Sequence, residues 1–170
     1  MKIAFVGKGG AGKTTVSSLF CLYYSKKKSV LAIDADINMH MAELLGLNAT
    51  SPDLLLSEKY PSDKIRTWLR GDNSRIKNNA EFKKSTPPGR GSRIIDITDN
   101  NWFINNYTRP ISKNLHLATV GSYSENGLAS SCYHNNLAIL ENILSHTNDS
   151  GVVAVDMVAG TDAFASTLYA

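Results

Sequence analysis

Cysteine is scarce in this chain, with only Cys21 and Cys132 among 170 residues. The two lie far apart and form no paired motif, which excludes a disulfide framework and a zinc knuckle. A reducing, cytoplasmic setting is the expectation. Long apolar runs are missing too. The first one, Ile3 to Val6, is cut short by glycines, so the start of the chain does not read as a signal peptide. No segment approaches the roughly 20 apolar residues of a membrane helix, and no membrane span is expected. Neither sign of charge dominates: 18 Lys and Arg stand against 15 Asp and Glu, a net +3. That is too mild to imply a nucleic-acid partner by itself. Internal repeats are absent as well.

The basic excess is local. Lys64 to Arg93 holds nine Lys or Arg against Asp72 and Glu81. The rest of the chain is acidic on balance, and the ordinary reading of such a run is a solvated face. Length and composition suit one globular domain, residues 1–170.

Along the chain, "KIAFV" reads as a short buried strand. "KTTVSSLFCLYYSKKK" reads as a helix, with Val16, Leu19, Phe20 and Tyr23 at helical spacing and Lys26 to Lys28 in the last turn. "SVLAIDAD" is a second buried strand that ends in acids, and "MHMAELLGL" a short helix stopped by Gly46. Residues 51–114 are richer in Pro, Ser, Asn and Arg. They read as an insertion of loops with one or two short helices, which Trp68 and Trp102 pack against the rest. "NLHLATVG" is a strand, and "SCYHNNLAILENILSH" an amphipathic helix with Leu137, Leu140, Ile143 and Leu144 on one stripe. "GVVAVDM" is another buried strand, and "GTDAFASTLYA" begins a further helix. The alternation predicts an α/β fold with a mostly parallel sheet and helices on both faces.

Gly7-Lys8-Gly9-Gly10-Ala11-Gly12-Lys13-Thr14 satisfies G-x-x-x-x-G-K-[ST], with a strand before it and a helix after it. Its glycines let successive N–H groups turn inward into an anion nest, and the helix N-terminus adds partial positive charge. Lys13 is placed to reach β- and γ-phosphates, and the Thr14 hydroxyl to bind Mg²⁺. Thr15 completes the run. Asp34 and Asp36 close the second strand, at the carboxyl end where parallel sheets bind ligands. Asp156, after an apolar run, occupies a Walker-B type of position and is expected to act on Mg²⁺. Gly160 follows it.

"KGGAGKTT" together with "DADIN" and "DMVAG" resembles the deviant Walker A ATPases of the MinD/ParA class. The chain is most similar to the group of the carbon monoxide dehydrogenase accessory ATPase. The resemblance covers nearly the whole chain and implies a P-loop NTPase fold. It also implies that Lys8 is the class's signature lysine, which crosses a dimer interface to the partner's nucleotide. By the same resemblance Asp36 positions the attacking water in switch I, and Asp156 and Gly160 belong to switch II. The expected catalytic residues are Lys8, Lys13 and Asp36. Gly7 to Thr15 bind the nucleotide, and Thr14, Asp36 and Asp156 hold Mg²⁺.

Two departures from the class are visible. Where the accessory ATPases carry a C-x-C metal pair, this chain reads "SSCYHNN", with Ser130 in one place. Cys132 and His134 could still supply one ligand each per subunit, but the expectation is a helix-start cysteine and a surface histidine, and His40 and His146 read as structural. Members of the class are also longer, with further strands and the adenine contacts after switch II. The expectation is a chain incomplete at its C-terminus.

The resulting functional expectation is an ATP-dependent homodimer that hydrolyses ATP slowly and acts on an unidentified partner protein, as in metalloenzyme maturation. Two alternatives stand beside it. One is a partitioning or positioning ATPase whose basic segment grips DNA or an anionic surface. The other is a nucleotide-binding module without turnover. A small-molecule kinase is disfavoured by the Lys8-Gly9-Gly10 signature.

Overall fold

The structure, a computed structural model, describes residues 1–83, 86–98, 100–122 and 134–158. Cys132, Gly160 and the helix expected over 160–170 lie outside the described residues. Three apolar runs form neighbouring parallel strands of the sheet, the first of them at its edge. They are β1 (Lys2–Phe5), β2 (Val30–Ala35) and, skipping ahead, the strand Val152–Met157. Arg109–Ser112 forms β3, Leu115–Thr119 forms β4, and Val152–Met157 is therefore β5. The order across the sheet is β1-β5-β2-β4-β3, parallel except for the β3–β4 pair.

Every residue of β2 and β5 is buried, as expected for parallel strands covered on both faces. Alternation along them sorts the core into two layers. Leu31, Ile33 and Ala35 face one way with Val153, Val155 and Met157. Val30 and Ala32 face the other way with Val152 and Ala154. The first layer is covered by α3 (Lys59–Arg70), α4 (Trp102–Tyr107) and α5 (His134–Ser145), through Ile65, Leu69, Phe103, Leu137, Leu140 and Ile143. The second is covered by α1 (Lys13–Tyr24) and the short α2 (Met41–Leu44), through Cys21, Met41 and Ala42.

Helix α1 differs from the sequence reading in two ways. The apolar spacing of α1 does not mark its buried side: Val16, Leu19 and Tyr23 are 54%, 61% and 54% exposed. The side against the sheet carries Ser17, Ser18 and Cys21 instead. Small residues there, above Ala32 and Ala154, let the helix lie close to the strands. Only Phe20 of the expected stripe turns inward, edge-on to Phe5 at 5.4 Å between centroids. Helix α1 also stops at Tyr24, and Lys26 to Lys28 form the turn beyond it rather than its last turn. The amides of Lys27 and Lys28 both donate to the Tyr24 carbonyl, which closes the helix.

The close seat of α1 yields a stability prediction. Cys21 is wholly buried, and burial, with Asp156 nearby, pushes its thiol up to about 12. Cys21→Leu forces extra volume under the helix and should cost about 1–3 kcal/mol in urea unfolding. Leu19→Ser, on the outward side, should change stability by less than about 0.5 kcal/mol.

Candidate functional site

The register of the strands builds the site. Asp34 and Asp156 are cross-strand partners on β2 and β5, and Phe5, just before the glycine loop, is the partner of Asp156 on β1. By alternation both acids belong to the layer under α1, where Val30, Ala32, Val152 and Ala154 precede them. The strand ends therefore bring two carboxylates beside the loop 7–12 and the first turn of α1. Both are fully buried.

The loop itself is an open cradle. Gly10 and Gly12 have φ of 75° and 77°, conformations that side chains rarely adopt, and Gly12 stands at the N-cap of α1. No side chain caps that helix end, so its first N–H groups point towards the loop unclaimed by a side chain. This is the arrangement that receives phosphate. The half-buried Lys13 folds back across the loop, and its Nζ donates to the Lys8 carbonyl at 3.3 Å. The Lys8 side chain is exposed. Gly9, Gly10, Ala11 and Gly12 are exposed, and Gly7 and Thr14 are half-buried.

Asp156 is the group most in need of a partner. Neither carboxylate oxygen has a hydrogen-bond partner, although both are buried. Burial raises its pKa. The hydroxyls of Thr14 and Ser17 and the ammonium of Lys13 pull the other way, although neither hydroxyl closes a hydrogen bond with it. An orphaned buried carboxylate beside a threonine hydroxyl is an all-oxygen donor set that fits Mg²⁺. That ion is usually held by one or two carboxylates plus substrate phosphates. No cluster of three metal-ligating side chains occurs among the described residues, so any such ion depends on the nucleotide for the rest of its shell.

The sequence placed Asp34 with Asp36 at the ligand-binding end of the sheet, and the structure has its carboxylate holding backbone amides. One of its oxygens accepts from the Asp36 amide at 3.1 Å, and the other from the Met41 amide at 2.9 Å. It thus pins both ends of the loop 36–41. Within that loop the Asp36 carboxylate accepts from the backbone and side-chain nitrogens of Asn38, at 2.9 and 2.8 Å. Met39 takes a φ of 53°, uncommon for a residue other than glycine. The signal for Asp34 was its place at the end of a wholly apolar strand two residues before Asp36. Ser17, buried beside Asp156, had no signal at all.

Comparison with known proteins agrees with this geometry. Residues 3–160 match the CobQ/CobB/MinD/ParA nucleotide-binding domain, and the chain belongs to that family. Among curated proteins, an uncharacterised ATP-binding protein of Methanocaldococcus jannaschii is 27% identical over 171 aligned positions. The alignment covers 96% of this chain and 60% of that protein. Among solved structures, a ParA family ATPase from Chlorobium tepidum shares the fold, with a TM-score of 0.54 at 16% identity. It is covered over 52% of its length by 95% of this chain. The chain therefore spans about half to three-fifths of the length of these relatives. No helix among the described residues is long and apolar enough to cross a membrane.

The buried acids make stability depend on pH in a stated direction. Asp34 is pushed from 3.8 up to about 7, chiefly by burial; the Met41 and Asp36 amides oppose the shift and the charges of Asp156 and Asp36 add to it. Between those values the folded chain keeps a proton that the unfolded chain has lost. The contribution to stability is then complete below about pH 4 and is lost as pH rises towards about 7. Urea unfolding should show the difference in stability between wild type and Asp34→Asn shrinking over that window. A difference that stays flat contradicts the assignment.

Proposed function

We propose that this domain binds ATP with Mg²⁺ and hydrolyses it slowly, as a nucleotide-dependent homodimer whose two states differ in their hold on a partner protein. One observation carries the reading: the loop has two lysines in opposite situations. Lys13 is folded over the loop, while Lys8 is exposed and holds the loop through its carbonyl alone. One serves the nucleotide of its own subunit. The other is left to serve a facing subunit.

In this reading the loop N–H groups and the N-terminus of α1 take the phosphates, and Lys13 balances their charge. Thr14 and Asp156 would hold Mg²⁺. When bound, the ion neutralises charge that develops on the phosphate oxygens. The Asp36 carboxylate, pinned from behind through Asp34, accepts a hydrogen bond from the attacking water. Lys8 of a second copy adds positive charge at the transferring phosphoryl group. Family membership supports nucleotide binding, and the archaeal relative, an ATP-binding protein, supports ATP as the nucleotide. The likeness to the carbon monoxide dehydrogenase accessory ATPases suggests metalloenzyme maturation as the task. The deviant Walker A signature rests on Lys8.

Calorimetry with Mg-ATP should show measurable binding by the wild type and none by Lys13→Ala; unchanged affinity removes the phosphate-loop reading. Lys8→Ala and Asp36→Ala should keep binding and lose turnover, by about 10²-fold or more for Asp36→Ala. The two then separate by light scattering with ATP: Lys8→Ala should stay monomeric, whereas Asp36→Ala should dimerise like the wild type. A Lys8→Ala protein that dimerises and turns over normally excludes a role across the interface.

A further inference from the structure

The local basic excess is not a featureless solvated face. Five of its cations, Lys64, Arg70, Arg75, Arg90 and Arg93, line two adjoining cavities of about 650 and 370 Å³ that meet at the Gly71–Asp72 turn. Asp72 is the one carboxylate that lines either of them. None of the five cations is in an ion pair among the described residues, where the only such pair joins the Met1 amine to Asp149. Arg70 donates to the Lys77 carbonyl at 2.7 Å, and Arg66, which lines neither cavity, donates to Asn142 at 3.1 Å.

The walls are rigid. The turn 71–73 and the loop 89–93 lie back to back: the Asp72 amide donates to the Gly91 carbonyl at 2.9 Å, and the Arg93 amide to the Leu69 carbonyl at 2.9 Å. The buried Asn73 donates to the Ser92 hydroxyl at 3.0 Å. A Cβ on Gly91 would fall 2.7 Å from the Asp72 backbone, so only glycine permits this approach. Arg90 is thereby presented from a fixed support rather than from a free loop. A backbone already held in place need not be ordered again when its guanidinium meets phosphate oxygens.

The same cleft is walled by aromatic rings. Trp68 and Trp102 stack at 5.5 Å between centroids with 20° between planes, and the Arg93 guanidinium lies 5.8 Å over Trp68. Outside the cavity lining, Tyr60 on the same helix α3 is 69% exposed, with the ammonium of the lining Lys64 5.3 Å over its ring. Cations alone would suit any linear polyanion. Aromatic surface beside them favours one whose charges alternate with planar groups.

We infer that this cleft binds single-stranded nucleic acid, through phosphate contacts to Arg75, Arg90 and their neighbours and through bases resting on the Trp68, Trp102 and Tyr60 surface. A run of Asp and Glu alone has no groups that stack, and a duplex keeps its bases stacked within itself. The cleft lies with α3 and α4 on the sheet face opposite α1, so the inference does not rest on the ATP reading.

The chain has two tryptophans and both line the cleft, so their fluorescence reports it directly. The probe is an oligothymidylate of about 16 nucleotides, long enough for a site of this kind, titrated without ATP at several salt concentrations. Binding should quench the fluorescence and weaken steeply with salt, by about 0.7 in log–log slope for each phosphate contacted. The double variant Arg75→Ala/Arg90→Ala should bind at least about tenfold more weakly, with a slope shallower by about 1.4. Both side chains are exposed and neither donates a hydrogen bond among the described residues, so its fold, checked by circular dichroism, should persist. Lys13→Ala should bind the oligonucleotide as the wild type does. Absence of quenching and binding overturns the inference. So does equal binding by the double variant, or by a duplex of the same length. Equal quenching by a polyglutamate peptide overturns it in favour of an acidic protein partner.

Discussion

Two carboxylates buried side by side at the ends of neighbouring strands set the terms for the rest of this molecule. Burying one acid among apolar residues is costly, and burying two in register is more so. Asp34 offsets its cost by accepting two backbone N–H groups. Asp156 has no such compensation. The fold is therefore stable around a site that favours added positive charge, and the neighbours of Asp156 are Thr14, Ser17 and Lys13, the first residues of the helix that follows the glycine loop.

The same pair links two loops that do not otherwise share hydrogen bonds among the described residues. Positive charge brought near Asp156 relieves repulsion felt by Asp34. An ionised Asp34 then holds the Asp36 and Met41 amides more firmly, since hydrogen bonds to a charged acceptor are stronger. The loop that carries Asp36 is thus sensitive to what the phosphate loop contains, through a single shared strand register rather than through a chain of contacts.

Much of this was legible because it is local. The glycine loop specifies its own backbone, and the runs "VLAIDA" and "VVAVDM" can bury themselves only as strands between covering layers; "KIAFV" forms its strand as read, but at the half-covered edge of the sheet rather than buried. The stripe Leu137, Leu140 and Ile143 met the core as its spacing implied. What could not be read depended on partners distant in the chain or on backbone atoms. Strand β3 reads "RPIS", with a proline and no apolar run, and exists because β4 offers it an edge. The buried face of α1 is small rather than apolar, so periodicity pointed to the wrong side. Asp34 works entirely on N–H groups, which carry no sequence signal. The basic segment could be counted, but its cavities arise from Gly71 and Gly91 meeting across twenty residues of chain.

The two margins of the sheet are unlike each other. On one side β3 is short, runs antiparallel, contains Pro110 with no amide to donate, and slips register between Pro110 and Ser112. A strand arriving there would find an interrupted row of donors. On the other side β1 is regular and, among the described residues, pairs with β5 alone. Its side chains Ile3, Ala4 and Phe5 are only half-covered. The sheet is consequently polar in the direction across its strands, closed to extension at one margin and receptive at the other. Any backbone that joins it edge to edge will do so beside the strand that leads into the glycine loop.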